Sequence, residues 1–247
     1  MKDAFMLTAC IKTEQMKLKH SHLWLVFAAI PLLPTVLGGA NYLNNQGLLK
    51  AEWYSLWTQH SLFYANFFYG PLIAIYCSYI WRVEHLNYNW NSLMTMPAPE
   101  KDIFLAKLLM ALRCTVLLQF WVGLLFILSG KLVGLPGLPP LEILLWLLRG
   151  SLGGMITAAL QLVLSMVIRS FAVPIALALI GSVAGFLLSS KGWGMFWPYS
   201  LMMVGMNANK STDVLSSPTG FAAALCVFLV LFAGIGIFYL KHKDVHA

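Results

Sequence analysis

Charge is what this sequence has least of. Of its 247 residues only 10% are charged, and acids are scarcer than bases, 9 against 16. A soluble domain carries about 25% charged residues, so a mean hydropathy of +0.76 with 60% hydrophobic residues excludes an ordinary water-soluble fold. The chain reads as an all-α integral membrane protein. Its net charge of +7 does not imply nucleic acid, because the bases sit scattered at the ends of apolar segments and build no single basic face.

Chemical motifs are also missing. Cys10, Cys77, Cys114 and Cys226 show no CxxC spacing, and apolar neighbours surround three of them, so neither a disulfide nor a metal site is expected. No GxxxxGK[ST] phosphate loop occurs; Gly134, Gly137 and Gly150 lie in apolar surroundings without the required lysine. The chain alone therefore binds no nucleotide cofactor. Ser151 in GSLGG suggests a nucleophile and hence an intramembrane hydrolase, but His22, His60 and His85 all lie at segment ends and offer no base.

What is present is a set of long apolar runs. A membrane-crossing helix needs about 20 mainly apolar residues, and six segments qualify, near 22–40, 61–82, 105–129, 141–168, 171–190 and 219–240. The first run follows lysines and ends LGGA at Ala40, which resembles a leader, yet five further spans follow it and the segment is taken as part of the mature chain. With both termini on one side, Lys2, Lys12, Lys17, Lys19, Arg82, Lys101, Lys107, Arg169, Lys241 and Lys243 share that side against Lys50, Lys131, Lys191 and Lys210 opposite. Bases concentrate in cytoplasmic loops, which places both termini in the cytoplasm.

Three shorter elements decorate the spans. In residues 1–20, Phe5, Ala9, Thr13 and Met16 recur at helical spacing opposite lysines, as in an amphipathic helix lying on the inner leaflet, with a polar tail as the alternative. Trp53, Tyr54 and Trp57, and Trp193, Trp197 and Tyr199, mark the outer interface. Residues 192–208 are too apolar for a free loop and too short to cross, so a helical hairpin dipping into the outer leaflet before span six is expected.

The stretch 83–107 carries Glu84, His85, Glu100, Lys101, Asp102 and Lys107 between long segments that hold almost no charge. Leu86, Trp90, Leu93 and Met94 fall on one helical face, Pro97 and Pro99 stop that helix, and Glu100 and Asp102 open the next one. A short cytoplasmic helix at 84–96 with an apolar face gains by seating in headgroups or in a partner's groove. Inside the spans, Arg113 is close enough to the inner interface to snorkel. Arg149 lies seven residues after Glu142 on the same side of its helix, either as a structural ion pair or as part of a pathway. Glycines four apart in GSLGG (150–154) and GSVAG (181–185) predict close helix contacts.

An acid leaving span two (Glu84), a Trp-bearing apolar helix, a proline break, an acid-base cluster and Ala106-Lys107 together resemble the coupling helix of ABC-2 type transporter permeases. Within them the chain is most similar to the lantibiotic-immunity branch, which shares the amphipathic N-terminal helix and the outer WPYS stretch. The resemblance implies two paired permeases, identical or paralogous, above separately encoded soluble ABC ATPases that hold ATP and Mg, in a bacterial cytoplasmic membrane. It implies a peptide antibiotic as cargo, with a drug, lipid or polysaccharide as the nearer alternatives and a passive channel as the more distant one. By the same resemblance Glu84 marks the start of the coupling element, Trp90, Leu93 and Met94 press on the ATPase, and Lys107 anchors span three.

Overall fold

The computed structural model describes residues 2–19, 21–87, 89–215 and 217–242, with backbone only for residues 2–5. The side chains of Lys2 and Phe5, and all of Lys243, therefore lie outside the described residues. Every regular element within them is helical. In chain order these are α1 (Lys2–Leu18), α2 (Leu23–Ala29), α3 (Leu32–Asn44), α4 (Glu52–Phe63), a π-helical stretch (Tyr64–Tyr69), α5 (Gly70–His85), α6 (Asn89–Met94), α7 (Glu100–Leu132), α8 (Leu141–Val167), α9 (Ala172–Ser190), two single 3₁₀ turns (Gly194–Phe196 and Pro198–Ser200), α10 (Leu201–Gly205) and α11 (Pro218–His242).

Five stretches are long and apolar enough to cross a membrane: Leu23–Asn44, Glu100–Leu132, Leu141–Val167, Ala172–Ser190 and Pro218–His242. They match five of the six expected segments. The segment at 61–82 is not a single α-helix. Its backbone is helical without a gap from Glu52 to His85, but Tyr64–Tyr69 winds as a π-helix. Pro71 explains this, because it has no N–H to give the carbonyl of Phe67 and its ring crowds that carbonyl; a widened turn before it relieves the clash.

Proline and glycine punctuate the rest. Pro31 separates α2 from α3, and Pro99 (φ −59°, ψ 139°) and Pro140 (φ −57°, ψ 143°) stand just before α7 and α8, each followed by acids in the positive first turn. Both α7 and α9 end by one device. Gly134 (φ +86°) and Gly192 (φ +82°) take the left-handed conformation. Leu135 then donates to the Gly130 carbonyl and Trp193 to that of Leu188, both at 2.9 Å, closing Schellman caps.

Aromatic rings fill the core. Trp57, Trp81, Trp146, Tyr64 and Phe126 are fully buried, with Trp57 edge-on to Phe126 at 5.2 Å and tilted against Trp146 at 6.1 Å. Helices α9 and α11 instead turn apolar side chains outward, among them Ile180, Val227, Val230 and Phe238. In water such a surface would aggregate; in a bilayer it needs no cover.

The outer segment 192–208 takes the form of two 3₁₀ turns followed by α10, and it is drawn inward: Tyr199, Leu201, Met202, Met203 and Met206 are buried. Its seats are the two glycine stripes. A Cβ on Gly153 would come within 2.5 Å of the Leu201 carbonyl, and one on Gly181 would meet the Tyr199 ring at the same distance. The small residues thus admit the short outer cap rather than two full-length helices. Trp197 Nε1 donates to the Gly181 carbonyl at 2.8 Å and Gln161 Nε2 to the Tyr199 hydroxyl at 2.7 Å, which fix the cap polar group by polar group.

Candidate functional site: the charged inner corner

The turn from α5 into α7 is made by residues whose local preferences agree with it. Helix α5 runs on through Glu84 and His85, and Asn87 at φ +55° reverses the chain, a conformation asparagine tolerates better than most residues. Asn89 Nδ2 then donates to the Val83 carbonyl at 2.9 Å, pinning the start of α6 to the end of α5. The short helix is therefore Asn89–Met94 rather than 84–96, with Glu84 on α5 and Leu86 extended between them. Pro97 lies in the bend that follows, and Pro99 precedes α7.

Glu84 does not face water. Its side chain is buried, and its Oε1 accepts from Lys107 Nζ at 2.7 Å and from Lys17 Nζ at 2.5 Å. Lys107, fully buried, also donates to Glu14 at 3.0 Å, and Lys17 to Glu14 at 2.9 Å. Two carboxylates and two ammoniums thus close a quartet across α1, α5 and α7. Lys107 Nζ additionally lies 4.8 Å from the centre of the buried Trp81 ring. Burial alone would push the Glu84 carboxyl up, but the Lys107 and Lys17 ammoniums outweigh it and hold it below its ordinary range. Burial likewise opposes charging Lys17, and Glu14 and Glu84 overcome it and raise its pKa.

The apolar side of the corner is layered onto this quartet. Trp90 stacks on His85 (5.6 Å between centres, 9° between planes) and leans on Trp81 at 5.8 Å. Leu93 is buried and Met94 half-buried. His85 Nε2 in turn donates to the Ser165 carbonyl at 3.1 Å, joining the corner to the end of α8. Of the expected coupling residues, Glu84, Trp90 and Leu93 thus look inward; the corner's exposed apolar side chains are Leu86, Met96 and Pro97, beside the polar Asn87, Ser92 and Thr95.

The reading of residues 1–20 also changes in detail. The face of α1 that docks against α7 carries Cys10, Ile11, Glu14 and Leu18, whereas Met16, expected on the apolar face, is 65% exposed. Sequence periodicity missed Glu14 because an acid on a membrane-facing helix reads as solvated; its buried partner 93 residues away is invisible to local pattern.

The second expected pair does not form. Arg149 Nη1 bonds Asp213 Oδ2 at 2.7 Å, and Glu142 Oε2 accepts from the Tyr54 hydroxyl at 2.8 Å. Seven residues along a helix is about 10 Å, too far for Arg149 to reach back, while the 213 loop folds over its end. Ser151 Oγ donates to the Leu147 carbonyl at 3.0 Å, so its proton is committed to its own helix.

A neutral ionic joint linking three helix ends beneath an exposed proline-flanked turn can hold elements together and pass movement between them. No curated protein and no solved structure matches the chain. A family model, that of the ABC-2 family transporter proteins, matches residues 10–185, which run from the middle of α1 through most of α9 and contain the entire corner. The chain therefore belongs to the ABC-2 transporter family, a multi-pass membrane subunit of an ABC exporter.

Proposed function

We propose that this protein is a six-span permease, with both termini in the cytoplasm of a bacterium, that works with separately encoded ABC ATPases to expel a membrane-bound peptide antibiotic of the lantibiotic class. The sixth crossing is the helical column through α4, the π stretch and α5. The observation that carries the reading is the inner corner: a short helix backed by Trp81, Trp90 and His85 and welded through Glu84 and Lys107 to α1 and α7. A push on such an element moves three helices at once. Leu86, Met94, Met96 and Pro97 give the ATPase an apolar edge to grip, while Glu84, Trp90 and Leu93 transmit the movement from behind it.

The cargo assignment rests on the apolar outward faces of α9 and α11 and on the absence of an acidic row along the spans, which favour an amphipathic solute taken from the bilayer over a hydrated ion. Arg149, paired at the outer loop, belongs in this reading to the frame around the exit.

Purification in mild detergent from the native membrane tests the coupling. The wild-type chain brings down a soluble ATPase, and Met96→Asp with Leu86→Asp reduces recovery of that ATPase at least tenfold while membrane insertion persists. Equal recovery from both proteins would overturn the contact. Expression of permease and ATPase together raises tolerance to a lantibiotic; unchanged tolerance to it, with extrusion of a drug, lipid or polysaccharide, would replace the cargo.

A further inference from the structure

Beside α1 and away from the ionic joint, a crevice of about 890 Å³ opens between α1, α2 and α7. Its mouth carries Lys12 and Lys19 from α1 and the turn after it, and Arg113 from α7. All three side chains are exposed, and none has a carboxylate partner among the described residues, in contrast to Lys17 and Lys107 a few residues away. Among the described residues no acid lines the crevice.

Its deeper walls are apolar and ordered. Phe27 meets Tyr76 edge-on at 6.1 Å, and Trp121 Nε1 donates to the Ala28 carbonyl at 3.2 Å, which clips α2 to α7 at the closed end. Leu117 and Leu118 continue the α7 wall, and Trp24, 65% exposed, forms the opposite lip. The slot is therefore cationic at the end where α1 lies and greasy toward mid-span. That polarity matches one occupant class, a molecule with an anionic head and a hydrocarbon tail.

We infer that this crevice is a binding site for an anionic phospholipid of the inner leaflet, the phosphate held by Lys12, Lys19 and Arg113 and an acyl chain lying between Trp24 and Leu117. Three bases line one crevice with no acid among its described lining residues, and juxtamembrane bases attract anionic headgroups. A bound lipid also fills the gap between α1 and α2, so it steadies the helix that supplies Glu14 and Lys17 to the joint. The site is independent of which cargo the transporter carries.

The test is lipid binding by the purified, delipidated full chain, read by native mass spectrometry and by thermal shift in detergent with added phosphatidylglycerol or phosphatidylcholine. Wild type binds phosphatidylglycerol about tenfold more tightly than phosphatidylcholine. The triple variant Lys12→Gln, Lys19→Gln, Arg113→Gln brings that preference below about twofold. A triple variant with equal charge loss at the opposite face, Lys50→Gln, Lys191→Gln, Lys210→Gln, keeps it. Equal loss in both variants means a general charge effect and overturns the site, as does displacement of phosphatidylglycerol by inorganic phosphate alone. Absence of any headgroup preference in the wild type, or dimerisation that excludes lipid from the crevice, does the same.

Discussion

The two ends of the bundle are held by opposite means. At the inner corner four charged side chains, two of each sign, close a joint between α1, α5 and α7. The outer cap has almost no charge; glycines in α8 and α9 let Leu201, Met202 and Tyr199 in, and apolar contact with a few hydrogen bonds keeps them there. The difference teaches where each end is vulnerable. A buried ionic joint depends on every member, since one unpaired charge left in an apolar site is far more costly than losing the pair together. A shape-fitted cap depends on volume, and only bulk disturbs it.

The largest expected effect comes from breaking the joint at its centre. Lys107→Met leaves Glu14 and Glu84 with Lys17 alone between them and one buried negative charge uncompensated, and should destabilise the protein by about 3–5 kcal/mol. Thermal unfolding in detergent measures this. Replacing Lys107 by Met together with Glu84→Gln should recover a substantial part of that loss; a double variant as weak as the single one would mean that the charges are not what holds the corner.

Bulk at the other end comes next. Gly153→Leu places side-chain atoms where the Leu201 backbone runs and should cost about 1–3 kcal/mol as overpacking. Protease accessibility should rise at the 192–208 segment while α1 stays protected. Loss of protection at α1 instead would erase the separation between the two ends.

The smallest effect is titration. The Glu84 carboxyl is held below its ordinary value of 4.5, so the stability it contributes is complete above that value and fades as pH falls through the lower folded value. Lys17 is shifted up from 10.5, so its share is complete below that pH and is lost only at still higher pH. Hydrogen exchange of α1 should therefore be flat between about pH 5 and 10 and quicken on the acid side below it, after correction for the intrinsic exchange rate. The outer segment 198–205, whose hydrogen bonds run through Gln161, the Tyr199 hydroxyl and backbone carbonyls rather than through a carboxylate, should show no such step on the acid side.

Much of this architecture is written in local pattern. Long apolar runs, the prolines before α7 and α8, and the glycines after α7 and α9 act within a few residues, and the helix limits follow from them. The corner was legible as a charged, proline-broken interruption for the same reason. Its interior was not. That Glu84 would turn inward depends on Lys107 and Lys17, 23 and 67 residues away, and only the packed bundle brings them together. The expected Arg149–Glu142 pair failed because periodicity gives the face of a helix and not the reach of a side chain, and Asp213 arrives from a loop with no periodicity at all. The π turn was hidden likewise, since Pro71 announces a distortion without naming its kind.

The ionic joint also has an electrical consequence. Its two carboxylates and two ammoniums sum to zero formal charge. Moving a unit charge through a membrane potential takes about 2.3 kcal/mol per 100 mV, but a neutral knot that shifts as one body crosses no voltage in this sense. The joint itself therefore adds little electrical work when the inner ends of α1, α5 and α7 travel together, and whatever the voltage acts on there is the bases Lys12, Lys19 and Arg113, unpaired with any carboxylate among the described residues.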